Sequence, residues 1–226
     1  MKDICTRLAV FDLDGTLVDS LPDLAIASNH LLAAHDLPKV TTGIVRSMIG
    51  DGVPALVQRL LDQADSPAHE LDRAEATREF MSFYAPHATE HSRLFPGTLE
   101  ALEQLRAMGW SLAVCTNKLT EIALKILHDL NVLAFMTTVC GGDTFPVHKP
   151  DPAHLVGTIH RAHGKPSDAL MIGDHANDML AARDAGVKSV LAEWGYGNHT
   201  VTCAVTARLR DIGDLPRLAE DMLPRI

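Results

Sequence analysis

The chain has 226 residues, and 20 Lys+Arg against 29 Asp+Glu give a formal charge of −9 with neutral histidines. Hydrophobic residues at 46% and charged ones at 22% exclude a disordered chain. The acidic balance without a basic block argues against a nucleic-acid or anionic-membrane surface, and no apolar stretch approaches the roughly 18–20 residues a bilayer span needs.

The chain opens with Leu8 to Phe11, a short apolar run that ends in Asp-Leu-Asp-Gly-Thr and reads as a buried strand running into a polar turn. That run is too short for a signal-peptide core. Cys5, Cys115, Cys140 and Cys203 show no CxxC pair or zinc-like spacing, so reduced, mostly buried thiols in a cytoplasmic protein are expected. From Ser20 to about His91 the pattern is helical. Ser20 caps a first helix through Leu31 and Leu32, with Pro22 in its first turn. Val53 to Leu61 forms a second helix after the Gly50-Asp51-Gly52 break, and Ser66-Pro67 opens a third carrying Leu71, Phe80, Met81 and Tyr84.

At Pro96-Gly97 the texture changes. Leu99, Leu102, Leu105 and Met108 form the inner stripe of a helix stopped by Gly109. Strand Leu112–Cys115 follows and ends in Thr116-Asn117-Lys118. Next come a helix through Ile122, Ile126 and Leu130, then strand Thr137–Cys140. Helix Ala153–His163, strand Ala169–Ile172, helix Asn177–Ala185 and strand Ser189–Leu191 continue the alternation, and a helix from Ile212 to Leu223 closes it. Strands alternating with helices predict an α/β fold, a Rossmann-like parallel sheet covered on both faces. The helical block interrupts it, so two units are expected: an α/β core of residues 1–19 plus 92–226, and an inserted helical domain of residues 20–91.

Ligands of an open parallel sheet sit at the carboxyl ends of its strands. There the chain places Asp12 and Asp14, then Thr116 and Asn117, then Lys149 in the loop after Cys140, then Gly173, Asp174 and Asp178. Carboxylates gathered at one edge repel, and a divalent cation is their natural neutraliser. An all-oxygen donor set favours Mg²⁺ over zinc or copper. Metal, ammonium and hydroxyl together cradle a phosphoryl group. A carboxylate beside that cradle can attack phosphorus, and a second can protonate the leaving oxygen.

Phe11-Asp12-Leu13-Asp14-Gly15-Thr16-Leu17-Val18-Asp19-Ser20 resembles the first signature of the haloacid dehalogenase (HAD) superfamily. Thr116, Lys149 and Gly173-Asp174…Asp178 resemble the remaining three, in the family's order. The resemblance implies an aspartyl-phosphate mechanism with Asp12 as nucleophile and Asp14 as general acid/base. It implies Mg²⁺ held by Asp12, the Asp14 carbonyl and Asp174, and a phosphoryl group held by Thr116 and Lys149, with a donor from Asn117. Asp178 matches an acid that orients Lys149 or a metal-bound water. His175 departs from relatives that often carry Ser there. The inserted helices resemble the family's C1 cap. Ile49-Gly50-Asp51-Gly52-Val53-Pro54 and Gly195-Tyr196-Gly197 are similar to the phosphoglycolate phosphatases of the superfamily, which implies a small phosphorylated metabolite, 2-phosphoglycolate, as substrate.

Each residue has a plainer reading in isolation. Asp12 and Asp14 are common strand-end turn acids, Lys149 a solvated charge, and Asp178 an acid in a helix first turn. Their company favours the site. Gly50-Asp51-Gly52 is either a plain turn or a substrate-facing loop. Arg59 and Arg46 are the helical block's candidates for gripping a substrate carboxylate, although exposed helical arginines are usually solvated. His87 and His91, four apart without a third ligand, read as surface histidines. Other metabolite phosphatases, pyrophosphatases and sugar-phosphate mutases share these signatures. A phosphate-accepting receiver module would be shorter and uncapped, and a phosphate-binding protein without turnover would not need the acidic pair.

Overall fold

The computed structural model describes residues 7–64, 71–197 and 201–224. In chain order its first half comprises β1 (Leu8–Phe11), β2 (Val18–Asp19), α1 (Leu21–Ala34), α2 (Thr42–Arg46), α3 (Val53–Gln63), α4 (Arg73–His87) and β3 (Arg93–Leu94). The second half comprises α5 (Thr98–Ala107), β4 (Ser111–Cys115), α6 (Thr120–Asp129), β5 (Thr138–Cys140), α7 (Pro152–Arg161), β6 (Ala169–Gly173), α8 (Ala176–Asp184), β7 (Lys188–Ala192), β8 (Ala207–Leu209) and α9 (Leu215–Met222).

The strands build a six-stranded parallel sheet of order β5-β4-β1-β6-β7-β8. Successive strand residues face opposite sides, and the core divides accordingly. Ala9, Phe11, Leu112, Val114, Leu170 and Ile172 pack with α5, α6 and α9. Leu8, Val10, Ala113, Cys115, Ala169 and Met171 pack with α7 and α8. The expected strands and α/β class are all present.

Between β2 and β3 the helices α1 to α4 pack on one another. Val53, Leu56, Val57, Leu60 and Leu61 bury one stripe of α3, and Ala76, Phe80 and Tyr84 bury one stripe of α4. At the two junctions with the sheet, β2 and β3 pair antiparallel, Val18 opposite Leu94 and Asp19 opposite Arg93.

Several details differ from expectation. Ser20 sits at the N-cap of α1, but its hydroxyl makes no cap bond and donates to Asp14 instead. Leu99 is 39% exposed, because strict three-residue spacing drifts off a 3.6-residue face, while Ala101, Leu102 and Leu105 are buried. His87 ends α4, stacks on Phe83 and does not share a helix with His91. The two-residue β2 and β3, the five-residue α2 and β8 have no counterpart in the sequence reading. The expected start of the third inserted helix at Ser66-Pro67, and Cys5, lie outside the described residues. No helix among the described residues is long and apolar enough to cross a membrane.

Candidate active site

Register explains why residues far apart in sequence meet. Phe11 lies opposite Val114 on one side and Ile172 on the other, so Asp12, Thr116 and Asp174 all emerge at one sheet edge. The Asp12 N–H still donates to the Ile172 carbonyl at 2.9 Å, which fixes its backbone as a continuation of β1. The chain then turns sharply at Gly15, whose φ is +85°. A Cβ there would lie 2.4 Å from Asp174 Oδ2, so only glycine lets the turn rest against that carboxylate.

The edge concentrates buried charge. Lys149 Nζ donates to Asp12 Oδ1 at 2.8 Å and to Asp178 Oδ1 at 2.5 Å. Asp178 also accepts from the His175 N–H at 3.0 Å, so it is at once the first-turn acid of α8 and an anchor for Lys149. Behind Lys149, its backbone N–H donates to the buried His154 Nδ1 at 3.2 Å; burial pushes that imidazole down to about 4 and keeps it a neutral acceptor. Asp174 accepts from the Thr16 hydroxyl at 3.1 Å and from the Tyr196 and Gly197 N–H groups at 2.7 and 3.2 Å.

Carboxylate oxygens of Asp12, Asp174 and Asp178 lie within 4.8 Å of one another. Burial pushes the Asp12 carboxyl up to about 6, against the pull of the Lys149 ammonium and with help from the Asp178 charge. Burial, then the charges of Asp12 and Asp178, push Asp174 up to about 7. One ammonium does not balance three buried carboxyl groups, and the oxygen donor set fits a hard divalent cation beside Asp12 and Asp174.

Asp14 is held differently. It accepts from the Ser20 hydroxyl at 2.5 Å and from Lys118 Nζ at 2.8 Å. Burial works against the Lys118 charge, yet Asp14 and then Tyr84 hold that ammonium above its ordinary range. Asp12, Asp14, Thr116, Asn117, Lys118, Asp174, His175 and Tyr196 line one pocket, with Gly50 and Gly52 from the helical block.

The structure therefore brings together Asp12, Asp14, Thr116, Asn117, Lys149, Asp174 and Asp178. Asn117 is there, but its amide donates to the Gly50 and Lys149 carbonyls at 3.0 and 2.8 Å, so it clamps two loops and does not offer those protons to a ligand. Neither arginine lines the pocket. Arg59 donates to the Met48 carbonyl at 2.7 Å and pairs with Asp51, which in turn accepts from Asn177 at 2.6 Å. Arg46 donates to the Gly195 carbonyl at 2.7 Å. The turn at Gly50, φ +133°, presses on His175: a Cβ would lie 2.7 Å from Nε2. Lys118, Ser20 and Tyr196 also stand at this edge, and the sequence alone gives none of them a catalytic or binding role. The sequence signal for Lys118 is its place two residues beyond Thr116 at a polar strand end, and Ser20 and Tyr196 stand in stretches that carry the family resemblance.

Comparison with known proteins agrees with this geometry. Residues 9–192 match the family described as haloacid dehalogenase-like hydrolase. A phosphoglycolate phosphatase of Agrobacterium fabrum is 38% identical over 189 residues, 84% of this chain and 81% of that protein. One of Caulobacter vibrioides is 36% identical over 224 residues, 99% of this chain and 94% of that protein. The crystal structure of a predicted phosphoglycolate phosphatase from Haemophilus somnus superposes with a TM-score of 0.88 at 34% identity, covering 96% of this chain and 99% of that one. Sheet order, the acids at its carboxyl edge and these likenesses agree, and the chain belongs to the haloacid dehalogenase-like hydrolases.

Proposed function

We propose that the protein is a Mg²⁺-dependent phosphomonoester hydrolase that acts on 2-phosphoglycolate through an aspartyl-phosphate. The observation that carries this reading is the buried Asp12 carboxylate, aligned by Lys149 beside Asp174 and opening to the same pocket as Asp14. Asp12 supplies an oxygen to phosphorus, and the ester bond breaks as Asp14 gives a proton to the leaving oxygen. Asp14, now a carboxylate, takes a proton from the water that cleaves the aspartyl-phosphate and restores Asp12. Thr116 and Lys149 bind the equatorial phosphoryl oxygens, and Asp178 keeps Lys149 in place. Asp12, the Asp14 carbonyl and Asp174 would hold the Mg²⁺, whose positive charge would let the carboxylate and the phosphoryl group meet.

Residues 20–91 act as a cap over this edge, with residues 1–19 and 92–226 as the catalytic core. Contacts of Gly50 and Asp51 with Asn117 and Asn177 support that role. The substrate assignment draws its support from the relatives named phosphoglycolate phosphatase. We place the activity in the cytoplasm, where the free thiols of Cys115, Cys140 and Cys203 stay reduced.

A kinetic panel of small phosphomonoesters with Mg²⁺ tests the proposal. 2-Phosphoglycolate should have the highest kcat/KM. Sugar phosphates better by about ten-fold, or ~1.4 kcal/mol of transition-state binding, would overturn the substrate and leave the phosphatase.

A further inference from the structure

The phosphoryl machinery accounts for one end of the substrate and leaves the other end without a reader. The cations near the site are largely committed. Lys149 is bound between Asp12 and Asp178, Arg59 to Met48 and Asp51, and Arg46 to Gly195. Among the described residues, Lys118 is the one Lys or Arg that lines the pocket, where His175 is the other basic side chain, and the Lys118 side chain is only 3% exposed. The helical block's side of that pocket offers no charged side chain: it is formed by the apolar side chains of Leu24, Ile49, Val53 and Leu56 with the backbone of Gly50 and Gly52.

Lys118 sits where a leaving group would be felt. Its ammonium is 2.8 Å from Asp14 Oδ2, the carboxyl group proposed to protonate the leaving oxygen, and 5.0 Å from the centre of the Tyr84 ring on α4. An ammonium carries three donor hydrogens. Asp14 takes one and the Tyr84 side chain, hydroxyl and ring together, answers a second, which leaves a third for another partner. A desolvated ammonium with donor capacity remaining is a strong site for an anion, far stronger than the same group in water.

We propose that Lys118 is a specificity-determining residue that binds a negatively charged group, a carboxylate, on the leaving-group side of the substrate. The proposal rests on the phosphomonoesterase reading above. Sharing Lys118 with a substrate carboxylate loosens its grip on Asp14 Oδ2. An anionic tail therefore gains binding and also frees the acid to face the leaving oxygen, whereas an uncharged tail of the same size does neither. This assigns to Lys118 the discrimination for which the sequence offers Arg59 and Arg46 as candidates.

The test compares 2-phosphoglycolate with its carboxamide, an analogue of the same size that keeps the phosphate and has a neutral tail, in wild type, Lys118→Gln and Lys118→Arg. Glutamine keeps a donor for Asp14 and removes the charge; arginine keeps the charge. Wild type should favour the carboxylate in kcat/KM by about ten-fold or more, the scale of one charge-assisted hydrogen bond. That ratio should collapse towards unity in Lys118→Gln, and Lys118→Arg should retain much of it. A preserved ratio in a folded Lys118→Gln protein overturns the proposal while the phosphatase reading stands. Wild type that turns over both esters equally overturns it as well. Wild type that hydrolyses neither ester, nor any in the kinetic panel, removes the reading beneath it. If Lys118→Gln does not fold, product inhibition of wild type carries the test. Glycolate should inhibit about ten-fold more tightly than glycolamide, and equal inhibition overturns the proposal.

Discussion

Asp23 and Asp174 are equally hidden from solvent, each 3% exposed, yet their surroundings push the two carboxyl groups in opposite directions. At Asp23, in the first turn of α1, burial acts to raise the pKa. Hydrogen bonds from the Ser92 hydroxyl, from the His91 and Ser92 N–H groups and from the His91 ring outweigh it and hold the carboxyl below its ordinary range. At Asp174 burial and the neighbouring charges of Asp12 and Asp178 win over the N–H groups of Tyr196 and Gly197, and the carboxyl rises to about 7. The first acid has its charge answered by donors of its own chain, and it ties α1 to the strand by which the helical block returns to the core. The second group of acids is crowded beyond what Lys149 can neutralise, an arrangement that costs stability and pays only when a cation and an anionic substrate arrive.

The largest effect that separates the two regions is expected at Asp12. Asp12→Asn removes the proposed nucleophile but leaves an amide of the same shape beside Lys149. Turnover should fall by roughly 10⁴-fold or more, the scale seen when a covalent nucleophile is removed, while the metal-free melting temperature holds or rises because a crowded charge is gone. Steady-state kinetics and thermal melting measure both. A large drop in melting temperature would mean that Asp12 is a structural tie like Asp23.

Asp23→Ala should show the converse. The His91 and Ser92 N–H groups and the Ser92 hydroxyl would lose their acceptor at a buried junction, a loss of about 2–3 kcal/mol in unfolding free energy. The folded fraction should keep kcat within a few-fold of wild type, since no atom of Asp23 lines the pocket. Denaturant unfolding together with kcat per folded molecule checks this. A catalytic loss exceeding the stability loss would show that the junction, and not only the sheet edge, sets the reacting geometry.

The contrast also marks what a sequence discloses and what it withholds. Asp12, Thr116 and Asp174 were readable because each directly follows an apolar strand, and a parallel sheet aligns such ends whatever lies between them. Asp178 satisfied both of its readings, since an acid at the third position of α8 serves the helix with one oxygen and Lys149 with the other. Asp23 gave no sign, because its partners His91 and Ser92 lie 68 and 69 residues away and a single acid after a proline looks like any first-turn residue. The Lys118–Asp14 pair spans 104 residues and is invisible for the same reason. The Arg59–Asp51 pair is hidden for the opposite reason: the two stand only eight residues apart, and Asp51 lies in the stretch that the sequence leaves open between a plain turn and a substrate-facing loop. Two-residue strands such as β2 and β3 carry no periodicity at all, although they mark where the helical block leaves and rejoins the sheet.

The smallest expected effect sharpens the comparison through pH. A carboxyl whose folded-state pKa is raised contributes stability that is present below its unfolded value, about 4, and is lost as pH rises through the folded value. Asp12 at about 6 and Asp174 at about 7 therefore make the metal-free protein less stable as pH climbs from about 4 through about 7. Asp23, with its pKa lowered, acts in the other sense: its contribution is present above about 4 and fades as pH falls through its folded value. The Mg²⁺ proposed at the sheet edge would require the same carboxyl groups deprotonated, so protons would compete with it there and not at Asp23. Calorimetric Mg²⁺ titrations should give affinities that weaken from about pH 8 to about pH 6, by at most ~10-fold per pH unit for each proton displaced. Over the same descent the metal-free melting temperature should rise. Asp174→Asn should flatten the pH dependence of whatever Mg²⁺ binding survives, because the group with the higher pKa is gone. An affinity that stays level from about pH 8 to about pH 6 would mean that Asp12 and Asp174 are already ionised in the free protein. Their charges would then be answered within the fold, as that of Asp23 is, and the distinction between the two regions would lie in their partners alone.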